Sequence, residues 1–360
     1  MKNYDLEKLR LQIDKIDEKI LDLINERTEC ALKIGDIKKR EGKKFHVPSR
    51  ERAVIENLTA RNKGPFPDKA LKVVYREIMS ACLSLEHPLK VAFLGPRATF
   101  THMACLENFG SSAEMISKNS IGDVFDDVER ERVDYGVVPV ENSNEGMVSH
   151  TLDKFVDSSV NICGEFFLEV SHCLLSKSGK LEDIRKICSH SQPIAQCRDW
   201  LSSYVPEINV MFVDSTAQAA QMAMKDPGIA AIASEYAADI YNLKIIEKKI
   251  EDNPNNFTRF LVIGNRIPDR TGNDKTSILF SVKDEVSILY KMLEPFSTYG
   301  INLTKIESRP LKKKAWEYIF YIDMEGHIDD EMVKKAIESL KAKSLSLKVL
   351  GSYPCIKAGS

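Results

Sequence analysis

The 360-residue sequence lacks the short motifs that most often indicate a metal or nucleotide site. HExxH, GxxxxGKS/T and GxGxxG are all absent, which removes the commonest metalloprotease, nucleotide and dinucleotide interpretations. No apolar run approaches the ~18 residues that a membrane-spanning helix needs. The charges nearly cancel, with 51 basic against 53 acidic residues, so we expect neither nucleic acid nor a membrane as a partner.

Paired cysteines are lacking as well. The eight cysteines are scattered, with no CxxC pair and no His partner at zinc spacing, so we expect neither a structural zinc site nor a disulfide framework. The N-terminal segment MKNYDLEKLR is charged where a signal peptide would be apolar. A reducing cytoplasm fits these features.

Residues 1–88 have the pattern of a helical module. Apolar side chains recur in steps of three and four at Leu6, Leu9, Ile13, Ile16, Ile20 and Leu23. Such a stripe packs against another helix, so we expect the long first helix to dimerise. Arg27 continues the same seam, where a guanidinium is costly unless an anion meets it. Further helices are expected from near Arg50 and over residues 68–86.

Strand-like and helical runs alternate from residue 89 to about 272. The runs KVAFLG, YGVVPV, FFLEVSHCLL, IRKICSH, INVMFV and IAAIAS are typical of strands, and helical stretches separate many of them. The alternation predicts an α/β domain with mostly parallel sheets. Residues 273–360 have the β-α-β-β-α-β order of a ferredoxin-like α+β domain.

Four polar loops adjoin strands of the predicted α/β domain, where ligands bind beyond the carboxyl ends of strands. They contain Glu141-Asn142-Ser143, Ser189-His190 with Gln196, Asp214-Ser215-Thr216, and Thr258-Arg259. Together they predict a pocket for a small polar anion. Simpler explanations stay open, namely N-capping by Ser215 and Thr216 and turn formation at 141–143.

These segments, together with residues 95–101 and Phe260, resemble the signature segments of prephenate dehydratases. Residues 1–88 look like the all-helical chorismate mutase, and 276–353 look like an ACT regulatory domain. The order is that of the bifunctional chorismate mutase–prephenate dehydratase family. The resemblance implies a two-lobed dehydratase domain similar to periplasmic binding proteins. It also implies conversion of chorismate to prephenate and then to phenylpyruvate, in L-phenylalanine biosynthesis, without cofactor or metal.

Charged residues of the helical module match the chorismate site of that family. By resemblance Arg27 and Arg50 bind substrate carboxylates, Lys38 donates to the ether oxygen and Glu51 accepts a substrate hydroxyl. Arg10 is implied to come from the partner subunit of a homodimer. For Lys38 and Arg50 taken alone, a solvated helix face is the simpler explanation.

Cys82 and Glu86 occupy further mutase positions, where some relatives carry Ser and Gln, and Val47 replaces an Asp of many relatives. An ether oxygen needs a hydrogen-bond donor, and an ionised carboxylate offers none. We therefore expect Glu86 to be protonated and mutase activity to rise toward mildly acidic pH. The alternative is that Glu86 merely ends a helix at the surface.

Loss of carbon dioxide and the ring hydroxyl from prephenate needs a proton donor and fixed carboxylate contacts. By resemblance Thr258 is the essential residue, which we expect to donate a hydrogen bond to the departing hydroxyl. Arg259 is implied to bind or orient a carboxylate. The further substrate-binding positions are Glu141, Asn142, Ser143, Gln196, Asp214, Ser215 and Thr216.

The C-terminal domain is implied by resemblance to sense L-phenylalanine at a dimer interface, through Ser287, Leu289, Glu307, Ser308 and Arg309. Relatives often have Gly-Ala at 287–288, and Ile288 is large enough to crowd the space of a ligand. A purely structural appendage is the alternative for this domain. For the whole chain, the alternative is a catalytically silent small-molecule sensor built from the α/β and ACT domains.

Overall fold

The computed structural model describes residues 5–43, 45–283, 285–310 and 317–356. Residues 1–4 of the charged N-terminal segment lie outside this part. The chain divides into two compact units, one of residues 1–89 with 109–114 and one of all the other residues. No helix in the described ranges is long and apolar enough to cross a membrane.

The first unit contains the three predicted helices, α1 (Leu6–Glu41), α2 (Pro48–Arg61) and α3 (Asp68–Glu86). Asp5 caps α1 because its side chain accepts a hydrogen bond from the N–H of Glu7 at 3.2 Å. Gly42 ends α1 in the left-handed conformation that glycine adopts easily. Both α1 and α2 contact α3, and α3 buries Met79, Ser80, Cys82 and Leu83.

The α/β region of the second unit alternates strands and helices, as predicted. In chain order these are β1 (Lys90–Leu94), α4 (Phe100–Phe109), β2 (Glu114–Lys118), α5 (Ile121–Glu129), β3 (Tyr135–Asn142), β4 (Gly146–Met147), α6 (Ser149–Asp157), β5 (Asn161–Glu169), β6 (Cys173–Ser176), a 3-10 turn (Leu181–Asp183), β7 (Lys186–Ser189), α7 (Ser191–Gln196), α8 (Arg198–Tyr204), β8 (Asn209–Phe212), α9 (Thr216–Lys225), β9 (Ile229–Ala233), α10 (Glu235–Tyr241), β10 (Lys244–Lys248) and β11 (Phe257–Gly264).

These strands form two sheets, which are the two lobes expected of this domain. The first has the order β2-β1-β3-β11-β5, with β4 paired to β3, and the second has the order β10-β6-β9-β7-β8. Both sheets are mixed: β3 is parallel to β1 but antiparallel to β11, and β9 is parallel to β7 but antiparallel to β6. The expectation of mostly parallel sheets is therefore wrong, because β11 is antiparallel to both of its neighbours in the first sheet and β6 to both of its neighbours in the second.

The prediction of a single strand over FFLEVSHCLL is also wrong. This run is divided between β5, which ends at Glu169, and β6, which begins at Cys173 in the other sheet. The segment between them crosses from one lobe to the other and buries Val170 and His172. The pattern of apolar residues is the same whether such a segment forms one strand or two strands in different sheets. The crossing between the lobes therefore could not be predicted from the sequence.

The C-terminal region has the predicted ferredoxin-like order. Its elements are β12 (Asp274–Lys283), α11 (Ile288–Thr298), β13 (Leu303–Pro310), β14 (Glu317–Glu325), α12 (Glu331–Lys343) and β15 (Ser346–Pro354), and the antiparallel sheet has the order β13-β14-β12-β15. The two faces of the sheet serve different cores. One face packs on the helices through residues such as Phe280, Phe296 and Ile322. The other packs Leu279, Ile319 and Tyr321 against the first sheet of the α/β region.

Candidate active sites

Four predicted mutase residues lie together between α1 and α3. Arg27 Nη1 donates a hydrogen bond to Cys82 Sγ at 3.2 Å, and Thr28 Oγ1 lies 3.4 Å from the same sulfur. Lys38 Nζ donates to the carbonyl oxygen of Phe45 at 2.7 Å, which fixes the position of its charge. The charges of Arg27 and Lys38 both act on Glu86. The group can therefore present two cations and one carboxyl group to a small anion.

The carboxyl group of Glu86 is held in an environment that favours its protonated form. Its Oε2 is buried and has no hydrogen-bond partner among the described residues. Burial raises the pKa of Glu86, although Lys38 and Arg27 act to lower it. A Cβ atom at Gly35 of α1 would lie 2.9 Å from Glu86 Cγ, so the missing side chain at Gly35 lets the carboxyl group approach α1. The alternative that Glu86 merely ends a helix at the surface does not fit this environment.

The other predicted mutase residues form no hydrogen bond or ion pair with this group in the described part of the chain, and Arg10 is far from it within one chain. Arg10 is exposed and pairs with Glu7 at 3.0 Å, and it lies ~25 Å from Arg27 along the helix axis. Glu51 of α2 pairs with His46 at 3.5 Å. Arg50 is exposed at the start of the same helix.

Thr258 and Asn142 form the centre of the candidate dehydratase site. They are opposite each other on β11 and β3, and Asn142 Nδ2 donates to Thr258 Oγ1 at 2.9 Å. The Oδ1 of Asn142 accepts from the backbone N–H groups of Asn144 and Glu145 at 3.0 and 3.1 Å, which fixes the orientation of the amide. Because the Thr258 hydroxyl accepts this hydrogen bond, its own proton can be donated to another group.

Amide side chains extend this centre into a connected network. Asn142 Nδ2 also donates to Asn256 Oδ1 at 2.8 Å, and Asn256 Nδ2 donates to Gln196 Oε1 at 3.0 Å. His172 Nε2 lies 2.9 Å from the same Gln196 oxygen. Since that oxygen accepts, His172 carries its proton on Nε2, and burial lowers the pKa of His172 and keeps it neutral. We call Thr258, Asn142, Asn256, Gln196 and His172 the amide network.

Two members of the amide network were missed by sequence reasoning. Asn256 is fully buried and belongs to the polar loop that precedes Thr258, so that loop contained the signal. His172 is hidden in the lobe crossing that was predicted as a strand. The predicted residue Ser143 lies beside the network, where its Oγ accepts from the N–H of Phe257 at 3.0 Å and donates to the carbonyl of Asn255 at 3.1 Å.

Asp214, Ser215 and Thr216 lie at the start of α9, after the carboxyl end of β8. Ser215 caps the helix by accepting from the N–H of Gln218 at 3.1 Å, and Asp214 is exposed. Within the described ranges no hydrogen bond joins these three residues to the amide network. In the same ranges no group of three His, Cys, Asp or Glu side chains is placed to hold a metal ion.

Arg259 and Glu141 differ from expectation because their side chains lie on the opposite face of the sheet from Thr258. Arg259 Nη2 and Nη1 lie 2.7 Å from carboxylate oxygens of Glu165 and Asp323 respectively, and Glu141 forms an ion pair with Lys305. Burial would lower the pKa of Arg259, but Asp323 and Glu165 outweigh it and raise the pKa above its ordinary value. Arg259 thus binds carboxylates of the protein, and both side chains are paired on the face of the sheet away from Thr258.

Two backbone features explain this placement. Neighbouring residues on a strand point to opposite faces, so Thr258 and Arg259 cannot share one. On β3, Pro139 pairs with Phe260 and Glu141 pairs with Arg259, which leaves Val140 as an extra residue in a β-bulge. The bulge shifts the alternation by one residue and turns Glu141 to the same face as Arg259.

The predicted effector residues are divided between two faces of the C-terminal domain. Along β13, Glu307 and Arg309 are half-buried and Ser308 is exposed, and Arg309 lies 3.5 Å from Asp153 of the α/β region. Ser287 has a φ of +64° just before α11, a conformation that glycine adopts at less cost. Leu289 is exposed.

Ile288 does not lie in open space at this position. Its side chain packs against the apolar core of the C-terminal domain. The crowding of a ligand that its size suggested has no support in this arrangement.

Comparison with known proteins agrees with this arrangement. Residues 9–87 match the family model "Chorismate mutase type II", 91–268 match "Prephenate dehydratase", and 276–342 match "ACT domain". The chain is 53% identical to the bifunctional chorismate mutase/prephenate dehydratase of Aquifex aeolicus, over 97% of this chain and 98% of that protein. The identity to the protein of that name from Pseudomonas aeruginosa is 44%, over 97% of each chain.

A solved structure matches the second and third regions. It is the prephenate dehydratase of Arthrobacter aurescens in complex with L-Phe, with a TM-score of 0.69, 33% identity, and coverage of 74% of this chain and 90% of that one. A helical mutase module followed by a two-lobed dehydratase domain and an ACT domain defines a bifunctional enzyme. This chain belongs to the bifunctional chorismate mutase/prephenate dehydratase family. It therefore catalyses both reactions, and the silent-sensor alternative is not favoured.

Proposed function

We propose that Thr258 is the catalytic hydrogen-bond donor of the dehydratase, delivering its hydroxyl proton toward the departing ring hydroxyl of prephenate. The observation that carries this role is the hydrogen bond from Asn142 to Thr258 Oγ1. Because Thr258 Oγ1 accepts the hydrogen bond from Asn142, the proton of the Thr258 hydroxyl is free to be donated to the leaving group. Departure of hydroxide is slow, and a donor at that oxygen is worth ~10²-fold or more.

The remaining amides hold the substrate and fix Thr258. Asn142 and Gln196 border the site directly, and Ser143 ties the loop after β3 to the start of β11. With Arg259 occupied by Glu165 and Asp323, the carboxylates of prephenate need other donors. In the first turn of α9 the backbone N–H of Thr216 has no hydrogen-bond partner among the described residues, which suits a carboxylate, with Asp214 and Ser215 at its edge.

Two replacements of Thr258 test the proposal. Thr258→Val keeps the shape but removes the hydroxyl, and Thr258→Ser keeps the hydroxyl. We expect the valine variant to lower kcat for prephenate ~10²-fold or more and the serine variant to retain most of it. Prephenate turnover should be followed by the appearance of phenylpyruvate. A valine variant as active as the wild type would contradict the role of Thr258.

For the mutase, we infer that Arg27 binds a chorismate carboxylate while Lys38 and protonated Glu86 donate to the ether oxygen. Cys82 lies beneath Arg27 and orients it. Arg50 and Glu51, at the start of α2, bind the second carboxylate and a hydroxyl. The rearrangement is pericyclic, so holding the folded conformer and stabilising charge at the ether oxygen is sufficient for catalysis.

We also propose a cytoplasmic homodimer in which Arg10 of one chain completes the mutase site of the other. The stripe Leu6, Leu9, Ile13, Ile16, Ile20 and Leu23 supports the dimer, because each of these side chains is at least 37% exposed in the single chain. An apolar face of this length calls for a partner helix. Arg10 lies in the same N-terminal half of α1 as this stripe, far from Arg27 of its own chain.

L-phenylalanine is proposed as the feedback inhibitor of the dehydratase. The support comes from the ACT domain and from the relative solved with L-Phe. The effector would contact the β13 segment with Glu307, Ser308 and Arg309 and the start of α11 with Ser287 and Leu289. We propose domain boundaries at 1–88, 89–272 and 273–360.

A further inference from the structure

Four charged residues join the dehydratase domain to the ACT domain in a closed arrangement. On one side Glu141 and Arg259 are cross-strand partners of β3 and β11. On the other side Lys305 and Asp323 are cross-strand partners of β13 and β14. Glu141 pairs with Lys305, and Arg259 Nη1 lies 2.7 Å from Asp323 Oδ2. We call these four residues the ion-pair square; its charges alternate in sign around the ring.

One side of the square is withdrawn from water and the other is half-buried. The side chains of Arg259 and Asp323 are 7% and 13% exposed, and those of Lys305 and Glu141 are 22% and 31% exposed. Glu165 is fully buried and holds Arg259 and Lys275 at 2.7 Å each. Buried charges of this kind fix geometry, because removing one partner leaves the other uncompensated. A small change in the ACT sheet is therefore transmitted to β3 and β11 rather than absorbed by solvent.

Each dehydratase member of the square is the sequence neighbour of a residue in the candidate active site. Arg259 follows Thr258 on β11, and Glu141 precedes Asn142 on β3. Thr258 and Asn142 are joined by the 2.9 Å hydrogen bond on the opposite face. Moving the square moves both functional groups, and a displacement of ~1 Å at a reacting group can cost ~10²-fold in rate.

The ACT members of the square are close to the proposed effector segment. Lys305 lies two residues before Glu307 on β13, and both side chains line one small cavity at the domain boundary with Tyr321 and Asp323. Any change in β13 that accompanies effector binding therefore reaches Lys305 within the same strand. This step depends on the effector role proposed for β13, whereas the contact of the square with Thr258 and Asn142 does not.

We infer that the ion-pair square positions Thr258 and Asn142 for the dehydratase reaction and couples them to the ACT domain. Arg259 and Glu141 are positioning residues that act from the rear of the sheet without contacting prephenate. The ACT domain is thus part of what makes the dehydratase site competent, and L-phenylalanine inhibits by altering the side of the square that the ACT domain supplies.

The test compares Asp323→Asn and Lys305→Met with Lys348→Met in the full-length protein. Lys348 is the matched control, since its Nζ also joins the ACT domain to the dehydratase domain, at the carbonyls of Phe155 and Ser158, but it touches neither β3 nor β11. We expect both square variants to lower kcat for prephenate about tenfold or more with little change in KM. The control should match the wild type, and chorismate turnover should be unchanged in all three.

Measurements with L-phenylalanine distinguish a loss of coupling between the domains from damage to the fold. Binding measured by calorimetry should persist in Lys305→Met, while inhibition of prephenate turnover weakens by about fivefold or more. Lys305 is the milder variant, so it decides the result if Asp323→Asn has a lowered Tm or fails to fold. Wild-type kcat in Lys305→Met, or equal losses in Lys305→Met and Lys348→Met, would overturn the inference. Absence of L-phenylalanine binding by the wild type would instead remove the proposed effector and leave the kcat comparison decisive for the positioning role.

Discussion

At the scale of single residues, we expect Glu86 to set the pH range of the mutase. The donor form of its carboxyl group is the protonated one, and burial raises its pKa. The raised pKa keeps the proton to higher pH than in an ordinary glutamate, so activity that depends on this proton should be lost as pH rises through that pKa. We expect chorismate turnover to fall from mildly acid to alkaline pH. In Glu86→Gln the amide is a hydrogen-bond donor at every pH in this range, so turnover by this variant should not depend on pH in this way. A wild-type profile as flat as that of the glutamine variant would exclude the role.

Gly35 provides a second prediction at this scale. Gly35→Ala would place a methyl group 2.9 Å from Glu86 Cγ and push the carboxyl group out of position, while alanine itself favours the helix by about 1 kcal/mol. We expect lower chorismate turnover with unchanged prephenate turnover and an unchanged or higher Tm. Gly64→Ala is the control, because among the described residues only Asn62 Oδ1, at 3.8 Å, lies within 4 Å of a Cβ atom at that position. Equal mutase rates in both variants would show that the contact is unimportant.

At the scale of elements, the sequence predicts a structure well where its apolar residues recur with a regular period, and poorly where pairing between strands interrupts that period. The existence of the long α1, the bounds of α3 and the order of the ACT domain could be predicted, because their apolar periods are long. The grouping of Thr258, Asn142 and Gln196 could be predicted as well, since strand ends meet in this architecture. The placement of Glu141 could not, because the bulge at Val140 depends on pairing with β11. Arg259 was assigned by resemblance, which does not say which face a side chain occupies.

The stripe of α1 yields a prediction for this element. Ile16→Glu puts a glutamate into the proposed dimer seam, whereas Lys15→Glu puts a glutamate outside the seam, about 100° around the helix from Ile16. We expect the first to give monomers, or a much weaker dimer, in light scattering and to lose chorismate turnover, because Arg10 no longer reaches the second chain. The second should resemble the wild type. A fully dimeric and active Ile16→Glu protein would place the interface elsewhere.

At the scale of the whole molecule, the residues proposed for the two reactions lie in separate units. Arg27, Lys38, Cys82 and Glu86 lie between α1 and α3 in the first compact unit, and the amide network lies entirely in the second. A change at one site should therefore leave the chemistry of the other intact. The ACT domain is different, because it shares both an apolar core and the ion-pair square with the dehydratase domain, and its state should matter to that reaction.

The most direct measurement feeds chorismate to the Thr258→Val protein and follows the products by NMR at neutral pH, with prephenate in enzyme-free buffer as the control for its spontaneous loss. We predict that chorismate disappears at the wild-type rate and that prephenate accumulates, while the wild type under the same conditions proceeds to phenylpyruvate. Phenylpyruvate formed by Thr258→Val at the wild-type rate would contradict the assignment of the dehydratase site. Chorismate left unconverted by the wild type as well would contradict the mutase activity of the first unit.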